Sequence, residues 1–150
     1  MSDISFLKAT IEDEDIDKFI EIEKTAAGLR VYSGIIDPEE AKEEIENNEV
    51  YFILKDNKIV GSTEYQIKGP KHAYLGGLVV LPEFQGQGIA REAAKFSLEK
   101  LKDIDRVDLV THPHNSKIIT LYLSLGFYIE SWKDNYYGDG EPRLVLVRQK

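Results

Sequence analysis

The sequence contains no cysteine, which excludes disulfide bonds, thiolate metal ligands and a cysteine nucleophile. It has no apolar run near the ~18 residues that a membrane-spanning helix needs, so no membrane partner is expected. The start of the chain, residues 1–5, lacks the basic and apolar segments of a signal peptide. These absences predict a cytoplasmic protein, and the length predicts one domain over residues 1–150.

Basic residues are in the minority. The chain has 19 Lys and Arg against 27 Asp and Glu, a net charge of −8. Nucleic-acid binding needs a basic surface, so no nucleic-acid partner is expected. A negative field favours a cationic ligand, although the same charge also serves solubility. The three histidines, two of which flank Pro113, are too few and too badly spaced for a structural metal site, and no metal is predicted.

Apolar periodicity predicts the element order β-α-α-β-β-β-α-β-α-β-β. Strands are expected at 4–8, 51–54, 59–67, 73–81, 107–111, 127–132 and 144–147. Helices are expected to begin at a Thr10/Asp13 cap, at Asp37-Pro38, at Gly86 and at Asn115, the first ending at Gly28. This order predicts the α/β class, a mixed sheet of about seven strands flanked by about four helices. Strand 73–81 should be central, and its crossover to strand 107–111 should be parallel.

Residues 85–90 join a predicted strand to a predicted helix and contain Gly86 and Gly88. Glycine lets a ligand approach the backbone closely, and the N-terminus of a helix offers N–H donors and a favourable dipole to a phosphate. Arg91 adds a cation beside them. A pyrophosphate-bearing cofactor is therefore predicted here, although a tight turn without a ligand would also favour these glycines.

Two motifs carry a resemblance to a known family. The run Val80-x-Pro82, followed by Gln85-x-x-Gly88-x-Ala90, resembles the acyl-CoA loop of the GNAT superfamily of N-acetyltransferases. The second signature of that family, N-x-x-A-x-x-L-Y-x-x-x-G-F, is matched downstream by Asn115, Leu121, Tyr122, Gly126 and Phe127, with Ile118 in place of the alanine. With the element order, the resemblance covers nearly the whole chain and implies the GNAT fold.

The resemblance implies transfer of an acetyl group from acetyl-CoA to a primary amine by direct attack. The implied coenzyme A contacts are Leu78, Val79, Val80, Gln85, Gly86, Gln87, Gly88, Ile89, Ala90, Arg91, Asn115 and Tyr122. In the family a backbone N–H before the loop binds the oxyanion, which by position is Val79 or Val80. Tyr122 suits protonation of the departing thiolate, because a phenol keeps its proton at neutral pH.

No motif identifies the residue that would act as the general base. Many family members carry a glutamate on the strand before the loop, but residues 74–77 contain no acid. Candidates are Glu64 on the neighbouring strand and His112 or His114 beyond strand 107–111, and histidine titrates in the useful range. A chain of ordered waters is an equal alternative.

Several residues bear on which amine is the acceptor. Tyr136 and Tyr137 lie in a stretch that resembles a substrate loop of the branch that acetylates peptide N-termini. Tyr32 should belong to the opposite wall, and Gly76 and Gly77 should leave room for the substrate. The acidic charge favours a small cationic, polyamine-like acceptor; the tyrosines favour a peptide or protein N-terminus. A non-catalytic acyl-CoA sensor is the third hypothesis, and a homodimer through the last strands, common in the family, stays open.

Overall fold

The computed structural model describes residues 3–26 and 34–150. Within these ranges the chain forms seven strands and four α-helices in the predicted order, with a short 3-10 helix at Pro82–Phe84. They are β1 (Ile4–Lys8), α1 (Asp13–Lys24), α2 (Pro38–Asn47), β2 (Glu49–Lys55), β3 (Lys58–Gly69), β4 (His72–Val80), α3 (Ile89–Lys100), β5 (Arg106–Thr111), α4 (Ser116–Ser124), β6 (Tyr128–Lys133) and β7 (Arg143–Gln149).

All the strands lie in one mixed sheet with the order β1-β2-β3-β4-β5-β7-β6. β4 is central and runs parallel to β5, whereas the other neighbours are antiparallel. Side chains of α1 and α2 pack into one buried cluster against the sheet, and side chains of α3 and α4 pack into another. The predicted α/β class, the central strand and the parallel β4–α3–β5 crossover are confirmed.

The starts of the first two helices differ in chemistry. Asp37 caps α2 as predicted, accepting the Glu40 N–H at 3.1 Å, with proline at the first helical position. The predicted Thr10 cap of α1 is wrong, because the residue before the helix is Glu12, whose side chain makes no capping bond. Thr10 instead donates its N–H and its hydroxyl to Asp15, at 2.8 and 2.9 Å. Gly28, the expected end of α1, lies outside the described residues.

A β-bulge interrupts the pairing of β3 with β4. Glu64 alone lies opposite two residues of β4, Gly76 and Gly77. A shift of one residue exchanges the two faces of a strand. Leu75 accordingly packs into the cluster formed with α3 and α4, whereas Val79, four residues later, packs into the cluster formed with α1 and α2. Glu64, at the bulge of β3, therefore lies next to the central strand of the sheet.

β4 and β5 separate after a short parallel contact. They pair only over His72–Tyr74 and Arg106–Asp108, although β4 continues to Val80 and β5 to Thr111. The remaining residues of the two strands diverge and open a gap at the centre of the sheet. One edge of β4 therefore keeps backbone donors and acceptors that a ligand can use.

Substitution of Gly61 by alanine tests how closely β3 approaches β4 beside this gap. A Cβ at Gly61 would lie 2.2 Å from the carbonyl oxygen of Val79, so the β4 backbone must shift. We expect Gly61→Ala to lower the free energy of unfolding by about 1–3 kcal/mol, as overpacking does. Gly69→Ala is the matched control, because a Cβ there meets nothing within 4 Å. Equal thermal unfolding midpoints for the two variants would contradict this account.

Candidate active site

Two cavities meet at the gap between β4 and β5. One, the inner cavity, has a volume of about 420 Å³ and is lined from both faces of the sheet. The other, the groove, has a volume of about 410 Å³ and follows the N-terminal ends of α3 and α4. Leu78, Asn115 and Ile118 line both, so they form the junction. Ile118 is the residue that replaces the family's alanine, and it stands at this junction.

The groove ends at the N-terminus of α3. Gly86 and Gly88 both have φ of 80°, a left-handed conformation that glycine adopts without strain. This conformation delays the helix, so the predicted start at Gly86 is wrong and α3 begins at Ile89. The first N–H groups of α3 have no partner within the helix and lie beside the groove, which suits a phosphate.

Most of the predicted coenzyme A contacts line this groove. The lining includes Leu78, Val79, Val80, Gln85, Gly86, Gly88, Ile89, Ala90, Arg91 and Asn115. Gln87 does not line it and instead contacts Lys55 through its side chain. Tyr122 lines the inner cavity. The Arg91 guanidinium is held by the Ser124 hydroxyl at 2.9 Å, so a cation is fixed between α3 and α4.

The free edge of β4 has a defined hydrogen-bonding pattern. The Leu81 N–H donates to the Val60 carbonyl at 2.8 Å, and such bonds alternate along an antiparallel pair. The alternation turns the Val79 N–H toward β3 and the Val80 N–H toward the gap. Of the two predicted oxyanion donors, only Val80 can therefore face a ligand in the gap. The Val80 carbonyl accepts the Gln85 side-chain amide at 3.0 Å.

Glu64 is a buried carboxyl on the wall of the inner cavity, with 5% of its surface exposed. Its Oε1 accepts the Gly77 N–H at 3.3 Å. Burial raises the pKa of Glu64 well above the ordinary range, and the nearby carboxylates of Glu44 and Glu23 raise it further. A Cβ on Gly76 would lie 2.6 Å from Glu64 Cγ. Gly76 thus leaves space for the Glu64 side chain. Gly76 and Gly77 also line the inner cavity, and their role in admitting a substrate stays a prediction.

Tyr122 lies on the other side of the inner cavity, on α4. It is 5% exposed, and its ring packs edge-on against Phe127 with 5.1 Å between the ring centroids. Burial raises the pKa of the Tyr122 hydroxyl, so the phenol keeps its proton at neutral pH. Asn115 caps α4 as predicted, through a long Oδ1 contact of 3.5 Å with the Ile118 N–H.

His112 has both ring nitrogens engaged. Nδ1 accepts the His114 N–H at 3.0 Å, and Nε2 lies 2.7 Å from Oε1 of Glu141. This network assigns the tautomer with the proton on Nε2. His112 lines the inner cavity, but it offers no free lone pair to an amine, which disfavours it as the base. The contact between His112 and Glu141 instead joins the end of β5 to the loop before β7.

The loop between β6 and β7 forms one wall of the inner cavity. Tyr137 lines the cavity, whereas Tyr136 packs edge-on against Tyr137 and does not line it. The Arg143 guanidinium lies 5.0 Å from the centre of the Tyr137 ring and binds Asp139 at 2.9 Å. Tyr74 of β4 lines the same cavity, and burial together with the neighbouring Tyr137 hydroxyl raises the pKa of Tyr74. These contacts hold Tyr137 toward the cavity.

Several lining residues carried a weak sequence signal or none. Glu23 and Glu44 lie on the buried faces of α1 and α2, and an acid on an apolar helix stripe is the signal that could have identified them. Arg143, the first residue of β7, and Tyr74, on β4, carried no such signal. Tyr32, predicted for the opposite wall, lies outside the described residues.

Two further findings concern the described residues alone. They contain no group of three or more His, Asp or Glu side chains placed to hold a metal ion. None of their helices combines the length and the apolar character that crossing a membrane requires.

Comparisons with solved structures agree with this architecture. The ribosomal-protein-S18-alanine N-acetyltransferase of Escherichia coli has a TM-score of 0.77 at 24% identity, covering 99% of this chain and 94% of that one. An Elizabethkingia anophelis GNAT acetyltransferase with acetyl-CoA bound has 0.75 at 16%, covering 98% of each. The PaiA N-acetyltransferase of Thermoplasma acidophilum, in complex with coenzyme A, has 0.75 at 22%, covering 99% of each. These TM-scores establish a common fold.

Sequence comparisons add the family. The UPF0157 protein YqkA of Bacillus subtilis is 29% identical over 73 residues, which is 49% of this chain and 21% of that protein. The matched region is thus about a fifth of the length of this curated relative. The model of the acetyltransferase (GNAT) family matches residues 14–127, a range that includes the groove, Glu64 and Tyr122. The chain therefore belongs to the GNAT acetyltransferase family.

Proposed function

We propose that this protein transfers the acetyl group of acetyl-CoA to a small cationic amine. The observation that carries the choice of acceptor is the wall of the inner cavity, where Glu23, Glu44 and Glu64 converge from α1, α2 and β3. Carboxylates around a cavity raise the local concentration of a positive ligand. The cavity opens onto the groove, so an amine held there lies beside the junction where a thioester would enter.

The groove suits coenzyme A. The N-terminus of α3 offers backbone N–H groups to a pyrophosphate, and Gly86 and Gly88 have open space where a side chain would stand. The free edge of β4 can pair with the amide groups of a pantetheine arm. Two of the similar solved structures hold acetyl-CoA or coenzyme A, which supports the same co-substrate here.

Glu64 is the base in this proposal. A free alkyl amine has a pKa near ~10.4, so an ordinary carboxylate is a poor acceptor for its proton. The raised pKa of Glu64 reduces this mismatch, and the side chain faces the cavity in which the amine would bind. The amine then attacks the thioester carbonyl, and the Val80 N–H stabilises the developing oxyanion.

Tyr122 serves the leaving group. Its buried hydroxyl stays protonated and can donate to the departing thiolate. Burial raises the pKa of a thiol as well as that of a phenol, so the proton can pass between the two groups inside the cavity. Tyr122 and Glu64 therefore act at opposite walls of one cavity.

A peptide or protein N-terminus is the second candidate acceptor. Tyr137 lines the inner cavity and belongs to the loop that resembles the one in peptide-acetylating relatives. The similar Escherichia coli structure is an enzyme that acetylates an alanine of a ribosomal protein. A sensor without turnover is disfavoured, because binding alone has no use for a buried acid and a buried phenol around the same cavity.

Replacement of Tyr122 by phenylalanine tests the leaving-group role. We expect Tyr122→Phe to lower kcat ten-fold or more with little change in acetyl-CoA affinity, because only the proton donor is removed. Tyr128→Phe, at an exposed tyrosine of β6, is the matched control. Steady-state kinetics with calorimetric acetyl-CoA titration would check this, and wild-type turnover in Tyr122→Phe would refute the role.

Replacement of Glu64 by glutamine tests the base. In the wild type, kcat/KM should rise with pH as Glu64 loses its proton, with a midpoint above that of an ordinary carboxyl. Glu64→Gln should lower kcat about 100-fold or more. It should also abolish this rise of kcat/KM with pH, which is the acid limb of the pH profile. Glu46→Gln, an exposed acid of α2, should keep both. If Glu64→Gln kept the acid limb, a group other than Glu64 would be the base.

An acceptor panel separates the candidate functions. Spermidine, aminoglycosides and short peptides would be compared by coenzyme A release under equal conditions. Spermidine should give the highest kcat/KM, because the inner cavity is rich in carboxylates. A peptide as the best acceptor would favour the N-terminal function. Tight acetyl-CoA binding with no acceptor above background would favour the sensor.

A further inference from the structure

Glu64 has a second carboxyl beside it. Glu44, on α2, is half-buried and lines the inner cavity together with Glu64, and its carboxylate is one of the groups that raise the pKa of Glu64. The Glu44 side chain is itself held in place, because its Oε1 accepts the Asn48 side-chain amide at 2.8 Å. The helix and the strand thus present a fixed pair of carboxyl groups to one cavity.

A neighbouring pair of carboxyl groups favours sharing one proton. Two carboxylates close together and partly removed from water repel each other, and this repulsion is relieved when one of them holds a proton. Other elements face the same pair: Glu23 of α1 adds negative charge, Tyr74 of β4 lies beside Glu64, and the Gly77 N–H donates to it. The charge of Glu23 favours the shared proton, and the Gly77 N–H opposes it.

The pair is accessible from two directions. The inner cavity reaches it on one side. A second, smaller cavity of about 280 Å³, the side cleft, is lined by Glu44 and Glu64 together with the polar side chains of Asn47, Asn48 and Gln66. An acceptor that fills the inner cavity therefore leaves the side cleft open to water.

We propose that Glu44 is a positioning residue that shares the proton of Glu64 and passes it to water in the side cleft. The inference rests on the proposed function, in which Glu64 is the base. In the step, an N–H bond of the ammonium breaks and its electron pair stays on nitrogen. The proton forms an O–H bond on the Glu64 carboxylate, moves to the Glu44 carboxylate and leaves to water. Glu64 is again ionised for the next amine.

Glu44→Gln is the test, because glutamine keeps the shape and the hydrogen bonding but holds no exchangeable acid proton. Glu43→Gln, an exposed neighbour on the same helix, is the matched control. The first measurement follows the titration of the Glu64 carboxyl by carbon-13 NMR in the free protein, with Glu64→Gln used to assign the signal. The midpoint should fall by on the order of one pH unit in Glu44→Gln and stay in place in Glu43→Gln.

The second measurement is the pH profile of kcat/KM with the best acceptor of the panel. In Glu44→Gln the acid limb should move to lower pH by the same amount, and the plateau kcat should fall several-fold, because Glu64 becomes a weaker base without a relay. A merely structural role would lower activity evenly and leave the limb in place.

The outcomes distinguish the two proposals. An unmoved Glu64 titration, or an unchanged plateau kcat, would overturn the role of Glu44 even if Glu64→Gln is inactive. A titration that moves without any movement of the activity limb would instead show that Glu64 is not the base, and Glu44 would lose its role in the reaction with it.

Discussion

The site depends on one departure from regular pairing at the centre of the sheet. Beyond Tyr74, β4 leaves β5, and at Glu64 it also slips by one residue against β3. The divergence opens the gap through which the groove reaches the inner cavity. The bulge exchanges the faces of β4, so that groups from α1 and α2 and groups from α4 line the same space.

The electrostatics of the inner cavity follow from this geometry. A carboxyl buried among other carboxyls costs folding free energy at neutral pH, because its ionised form is disfavoured in the folded state. Glu64 occupies such a place, with Gly76 leaving the space for its side chain. A position that is unfavourable for stability and suited to proton transfer is typical of a functional site.

Many features were accessible from the sequence because they depend on local rules. Periodicity predicted the element order, and Asp37 and Asn115 were recognised as caps from their own residue types. The start of α3 was missed by three residues, since Gly86 and Gly88 take a left-handed conformation that spacing alone does not reveal. The predicted Thr10 cap is wrong because α1 begins only at Asp13, so Glu12 precedes the helix.

The sequence by itself determined the family, because both motifs that carry it are short contiguous segments, one at the start of α3 and one along α4. The groove also needs the fold, since its lining comes from β4, α3 and α4. Only the tertiary structure distinguished Glu64 from His112 as the candidate base and brought other carboxyls to the same cavity. Glu64, Glu44 and Glu23 come from three separate elements, and their proximity depends on the bulge and on helix packing. The contact of His112 with Glu141 and the position of Tyr137 in the cavity wall also depend on the tertiary structure. Burial and like-charge proximity are properties of the folded chain, and no local pattern encodes them.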